Sequence, residues 1–314
     1  MACTFLYEPK RRTPKAGTSP NSDKIASLHE LAPGALNKSP QSKEHSSSHE
    51  APLERPLAPP SEHIATELGL PLEQYSGQTA HFMGLHGEQD CNLFSSFQFN
   101  ILNESDFIDV HIRQVDAGDR YQGRPPAHFT MIRDIVPDSD MQVRRRSAEL
   151  IEEYVSGFAE SLVRLYFRFV HPVFPILSKR RFITRYISNR NDTSPALRGV
   201  IYGLGATWWS SDDKLKAVSP LSQTTLFERA HDSLSRELDS PKLETLQACL
   251  LMLHEQPPAT GTTESPKIWS LTGRVVAAAQ TLGLHIDPLH WNLPVWEKAV
   301  RKKLWWATYL SDKW

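Results

Sequence analysis

Ile151-Glu152-Glu153-Tyr154-Val155-Ser156-Gly157-Phe158-Ala159-Glu160-Ser161-Leu162-Val163-Arg164-Leu165-Tyr166-Phe167-Arg168-Phe169 is the stretch on which the fold turns. Ile151, Tyr154, Val155, Phe158, Leu162, Leu165, Tyr166 and Phe169 recur at three- and four-residue steps and make one broad apolar stripe, the pattern of a helix with one face in a core. Pro172 ends that helix, because it has no N–H to donate and its ring obstructs the preceding turn. Val170–Leu177 then carries Pro172 and Pro175 on either side of Val173 and Phe174. That pattern predicts an extended link whose Val173, Phe174, Ile176 and Leu177 plug the core.

Toward the C-terminus three helices share one start signal: Ser194-Pro195, Ser240-Pro241 and Ser265-Pro266. In each, serine can cap an orphan N–H and proline suits the first helical position. Leu243, Leu246, Leu250 and Leu253 form the stripe of the second. Ile268, Trp269, Val275 or Val276, Ala279 and Leu282 form that of the third, with Gly283 as its left-handed stop. Pro294 opens a last helix reaching Trp314, and helices near 179–188 and 222–238 bring the number to about seven. The predicted fold is all-α. In the last helix Trp305, Thr308 and Tyr309 share one side and Trp306, Leu310 and Trp314 the adjoining one, so core is favoured over a ligand cavity or partner surface.

Toward the N-terminus the signal fades. Residues 76–145 read as an irregular segment packed on the helical domain, with strand-like runs at Phe107–Ile112 and Ala127–Ile132 among breaking glycines. All eight tryptophans of the 314 residues lie at or after Trp208, and residues 1–60 hold only two aromatics, Phe5 and Tyr7, among nine prolines and eight serines. So little apolar surface cannot offset the entropy of ordering, and 1–75 reads as a disordered linker. Within it Lys10, Arg11, Arg12 and Lys15 read as a nuclear-import signal, as contacts to a DNA backbone, or as a solvated run.

With 35 Lys+Arg against 36 Asp+Glu, the chain lacks the basicity of a self-sufficient nucleic-acid binder. Apolar runs such as Val275–Ala279 fall far short of the roughly 18 residues of a membrane span. Cys3, Cys91 and Cys249 are scattered and odd in number, which encodes neither a disulfide framework nor a metal cluster. Gly203-Leu204-Gly205 lacks a third glycine and sits in a helical pattern rather than after a strand. His254-Glu255 runs into Gln256-Pro257-Pro258 and has no second histidine. His81, His86 and Cys91 supply only three potential metal ligands. Asp212 and Asp213 are adjacent, so they diverge rather than share a proton and read as a loop or helix start. No constellation asks for an enzyme, and the expected answer is a non-enzyme with no catalytic residue and no cofactor of its own.

Four segments carry a resemblance. Tyr166-Phe167-Arg168-Phe169-Val170-His171-Pro172-Val173-Phe174-Pro175-Ile176-Leu177 resembles the opening of the middle homology region of fungal zinc-cluster transcription factors. Trp269-Ser270-Leu271-Thr272-Gly273-Arg274 with Ala277-Ala278-Ala279-Gln280 resembles its central helix, and Leu282-Gly283-Leu284-His285-Ile286-Asp287-Pro288 the turn after it. Trp296-Glu297-Lys298, Arg301-Lys302-Lys303-Leu304-Trp305-Trp306 and Asp312-Lys313-Trp314 resemble the next helix. The matches fall in order over about 150–314, which assigns 146–314 to the N-terminal part of that region. Phe82-Met83-Gly84-Leu85-His86-Gly87-Glu88-Gln89-Asp90 is similar to an upstream segment in a subgroup that includes regulators of nitrogen-source use.

The resemblance implies a nuclear regulator of RNA polymerase II transcription, of which this chain is a regulatory fragment shortened at both ends. It implies promoter DNA bound through a six-cysteine binuclear zinc cluster that this chain cannot form. Cys3 with Thr4-Phe5-Leu6-Tyr7-Glu8-Pro9-Lys10 resembles the last cysteine of that cluster and its exit, over 3–15, and is a zinc ligand only if the chain extends upstream. Homo- or hetero-dimerisation with related factors and a small-molecule effector are the further partners implied, with no membrane. The family commonly has arginine where this chain has Ile286, which removes any polar role there. The alternatives are a stand-alone interaction module that pairs with full-length relatives, and a helical enzyme.

Overall fold

The computed structural model describes residues 69–73, 77–84, 97–107, 110–255 and 266–313. Among these lie eight α-helices and four strands. The all-α expectation is therefore corrected: a four-stranded antiparallel sheet precedes the helices. It comprises β1 (Gln78–Phe82), β2 (Glu104–Phe107), β3 (Val110–Asp116) and β4 (Ala127–Arg133), in the order β1-β4-β3-β2. Phe107–Ile112 is not one strand, since β2 ends and β3 begins within it with Phe107 opposite Val110. Ala127–Ile132 falls within β4, which is central and buried on both faces, so it lacks the clean alternation of a half-exposed strand. Ala127, Phe129 and Met131 join Leu72, Ala80, Val115, Trp291 and Leu293 in one apolar cluster. His128 points the other way and stacks on Phe99 at 5.6 Å.

The helices are α1 (Asp138–Tyr154), α2 (Ala159–Leu165), α3 (Lys179–Ser188), α4 (Pro195–Ala206), α5 (Gln223–Glu237), α6 (Leu243–Met252), α7 (Pro266–Thr281) and α8 (Val295–Lys313). The stripe from Ile151 to Phe169 is not one helix. Gly157, at φ +81°, breaks it between α1 and α2. Tyr166–Val170 then continues α2 as a π turn in which the His171 N–H reaches back to the Tyr166 carbonyl. The apolar spacing survives this break because both pieces pack into the same core cluster. α1 also begins well before the stripe, on a solvated turn held by ion pairs such as Arg144 to Asp140 at 2.7 Å and Arg145 to Glu149 at 3.0 Å.

α4 is the centre of the body. Every residue from Ala196 to Ala206 is buried, against α1, α2, α5 and α6. Ser194 caps it as expected, accepting from the Leu197 N–H at 3.0 Å. A Cβ on Gly205 would lie 2.3 Å from the Leu162 carbonyl oxygen and one on Gly203 2.8 Å from the Phe227 ring, so these glycines serve helix packing. Arg198, wholly buried on α4, is neutralised by Glu152 at 2.6 Å, which also accepts from the Tyr202 hydroxyl.

Other expectations are corrected. α6 is not capped by Ser240, whose hydroxyl bonds Asp134 instead; it starts two residues past Pro241. Of the predicted plug, Ile176 and Leu177 are buried and Phe174 half-buried, whereas Val173 is exposed because the chain turns there. On α8, Leu304, Ala307 and Thr308 are buried and Trp305 packs on the core, but Trp306, Tyr309 and Leu310 face outward, which overturns the core reading for these three. Ser265 and Trp314 lie outside the described residues, while Gly283 has the left-handed φ of +69° expected of it.

Candidate functional site

The sheet and the helices meet at a short strap, residues 69–73, threaded between β3, α6 and α8. Gly69 passes so close to Asn292 that a Cβ would sit 2.0 Å from its carbonyl oxygen. The Arg113 guanidinium on β3 donates to the Leu70 carbonyl and, at 2.9 Å, to that of Pro71. The Leu72 side chain enters the apolar cluster under the sheet, and its N–H donates to Glu297 Oε2 at 3.2 Å. Glu73 accepts from the Leu243 N–H at 2.5 Å. Leu243 opens α6, so this carboxylate occupies the end of the helix where orphan N–H groups and the dipole favour negative charge.

Glu297 is held from within its own helix. Glu297 and Arg301 stand one turn apart on α8, each 1% exposed, with Arg301 Nε donating to Glu297 Oε1 at 2.9 Å. The same guanidinium donates through Nη1 to the Leu282 carbonyl at 2.8 Å, just past the end of α7, and lies over the rings of Phe129 and Trp291. One buried cation thus ties α8 to α7 and the sheet, and through Glu297 to the strap. Burying both charges is costly, and what offsets it is their mutual pairing together with the bonds to the Leu72 N–H and the Leu282 carbonyl, although Arg301 Nη2 is buried without a hydrogen bond of its own.

Beside this latch lies a cavity of about 110 Å³, lined by Glu73, Arg181, Arg185, Glu244, Gln247 and Trp296 among others. That is room for a few water molecules or one small polar group. The Arg181 guanidinium covers the Trp296 ring at 3.3 Å, Arg185 pairs with Glu244, and Gln247 donates to the Ile176 carbonyl. Burial, aided by the charges of Glu297 and Glu244, pushes the Glu73 carboxyl up to about 7, against the opposing pull of the Leu243 N–H and Arg301. Burial and the neighbouring Arg185 lower Arg181. The cavity therefore offers guanidinium groups, carboxylates and one carboxyl that titrates near neutrality, which is binding chemistry.

None of these residues was singled out from sequence as a site. The available signal was a glutamate and an arginine one turn apart, Glu297 and Arg301, in helical register with Leu304 and Thr308 on the buried side of α8. The residues that were singled out lie elsewhere. Cys3, Lys10, Arg11, Arg12, Lys15, His86 and Cys91 are outside the described residues. His81 is half-buried on β1. Asp212 accepts from Arg164 at 2.6 Å and Asp213 pairs with Lys216 at 2.7 Å, in a turn. His254 packs edge-on against Phe174, and Glu255 pairs with Lys267. A six-thiolate zinc cluster does not fit this chain: it has three cysteines, and Cys249 is buried on α6, where burial pushes its thiol up to about 12. Among the described residues no group of three or more His, Cys, Asp or Glu is placed to hold a metal ion, and no helix is long and apolar enough to cross a membrane.

Residues 163–314 match the sequence profile of the fungal specific transcription factor domain. An uncharacterized transcriptional regulatory protein of Schizosaccharomyces pombe is 32% identical over 53% of this chain and 25% of its own length. The transcriptional activator protein DAL81 of Saccharomyces cerevisiae is 31% identical over 60% of this chain and 19% of its own. Cutinase transcription factor 1 alpha of Fusarium vanettenii is 23% identical over 50% of this chain and 17% of its own. The matched stretch thus spans a quarter or less of these relatives. No solved structure matches the chain.

Proposed function

Because residues 163–314 of this chain belong to the fungal specific transcription factor domain family, we propose that the chain is the regulatory body of a nuclear regulator of RNA polymerase II transcription. The observation that carries this reading is that match, joined by relatives that are themselves transcriptional regulators. Promoter DNA is bound through a binuclear zinc cluster, which the three cysteines here cannot form. The body's own task is to set the regulator's output, with strap docking over the latch as its movable part and the adjoining cavity as the seat of a small polar effector. It acts without catalysis.

The test is to fuse the chain to an unrelated DNA-binding module upstream of a reporter. Reporter output that differs from that of the module alone, and that changes when Glu73→Gln alters the strap contact, supports the reading. Output indistinguishable from the module alone overturns it, as does sequence-selective DNA binding by the unfused chain at physiological salt. One observation favours dimerisation with a related factor as part of the same function: Trp306, Tyr309 and Leu310 form an exposed apolar strip on α8. Co-purification with a relative, lost in Trp306→Gln, checks it.

A further inference from the structure

α2 with its π turn and α3 lie side by side and leave an open groove of about 830 Å³ between them. One wall is Glu160, Val163, Arg164, Phe167 and Arg168, spaced along one side of α2 and the π turn. The other is Lys179, Ile183, Tyr186 and Ile187 on α3, with Arg190 just beyond its end. The floor is apolar: Val163, Phe167 and Tyr186 are buried within it, Ile183 is half-buried, and Ile187 stands 77% exposed at its edge. The rim is cationic, with Arg164, Arg168, Lys179 and Arg190 against the single carboxylate of Glu160.

Two of these cations are already engaged, Arg164 with Asp212 and Arg190 with Glu152 at 3.2 Å. The other two are not matched by acid. Arg168 lies 5.1 Å over the Phe169 ring and Lys179 5.7 Å over that of Phe167, and among the described residues neither has a carboxylate within ion-pair distance. Two helical walls with apolar residues at helical spacing make a trough for a third helix. Unmatched cations on both lips require that this helix carry acid on its flanks.

We propose that the groove between α2 and α3 is a docking site for an acidic amphipathic helix of a partner protein. Its apolar stripe, at i, i+3, i+4 and i+7, covers Ile183 and Ile187 above the buried Phe167, while flanking Asp or Glu pair with Arg168 and Lys179. A phosphate backbone would use the same cations but has nothing to place on the apolar floor, so the groove fits a peptide better than a nucleic acid.

The test uses the full chain and a fluorescein-labelled designed helix of about 18 residues, five turns, with Leu and Phe on one stripe and Glu on its flanks. Two control peptides replace Glu by Lys or the apolar stripe by Ala. Saturable binding by anisotropy is expected for the acidic peptide alone. Arg168→Glu with Lys179→Glu should weaken it roughly tenfold or more, from two exposed attractions turned to repulsions. Ile187→Asp, at a 77% exposed position and therefore expected to keep the native circular dichroism spectrum, should weaken it as well. Equal binding of the lysine peptide, no saturable binding of the acidic one, or indifference to both variants would each overturn the proposal. So would a DNA duplex that displaces the peptide and depends on Arg168 and Lys179 but not on Ile187, which would make the groove a phosphate surface.

Discussion

Arg301→Leu removes the cation from a pair in which both side chains are 1% exposed. It leaves the Glu297 carboxylate buried with only the Leu72 N–H at 3.2 Å to satisfy it, and it deprives the Leu282 carbonyl of its donor. Breaking such a pair from one side costs about 3–5 kcal/mol, a large part of the roughly 5–15 kcal/mol that holds a domain together. Glu297→Gln strands the cation instead and should cost a similar amount. The double variant removes both charges, and Gln still offers Leu72 an acceptor. What remains lost is chiefly the bond to Leu282, about 1–2 kcal/mol. The double variant is therefore expected to be more stable than either single one. Urea unfolding followed by tryptophan emission measures all four proteins, and Trp291, whose ring lies 5.8 Å from the guanidinium, reports from the site itself. Amide exchange at Leu72 reads the strap separately. If the double variant loses the sum of the two single losses, the charges do not compensate each other and the latch argument fails.

Because the Glu73 carboxyl is raised from the ordinary value of 4.5 to about 7, the folded chain holds a proton there that the unfolded chain has released. Its contribution is fully present below about pH 4.5 and is lost as pH rises to about 7; comparing unfolding midpoints of the native chain and Glu73→Gln across that window should show the decline in the native chain only. Gly205→Ala places a methyl 2.3 Å from the Leu162 carbonyl oxygen and should cost at least about 2 kcal/mol. Gly273→Ala, on an exposed helical position with nothing within 4 Å, should gain about 0.5–1 kcal/mol; thermal melts that rank the two the other way would refute the packing assigned to α4. Trp306→Gln with Leu310→Gln should reduce self-association in sedimentation velocity without lowering the melting temperature, since both side chains are more than half exposed.

The helices were legible where their causes are local. Ser194-Pro195 starts α4 because cap and first turn are neighbours in sequence, and Gly283 stops its segment for the same reason. Ser240-Pro241 carries the same signal and yet fails, because Asp134, more than a hundred residues away in sequence, claims the serine hydroxyl. The sheet was half-visible because β4 is covered on both faces, which erases the alternation that marks a strand. Val173 and Trp306 look like core in any hydropathy count, and only the direction in which the chain turns sets them outside. The latch was not legible as a site. The meaning of Glu73 depends on an N–H 170 residues further along, and that of Arg301 on a carbonyl at the end of another helix.

The bond between Leu72 and Glu297 spans 225 residues. A ribosome adding roughly 5–20 residues per second needs about 10–45 s to make that much chain. Ala80, Phe129 and Met131 are made early in that interval and Trp291 and Leu293, which cover them, near its end; the roughly 160 residues from Met131 to Trp291 take about 8–32 s at the same rate. Contacts this distant also enter late in refolding, because the loop they close must first be ordered. The nascent sheet therefore spends on the order of 10–30 s as an uncovered apolar surface, until the segment just ahead of α8 emerges to close over it.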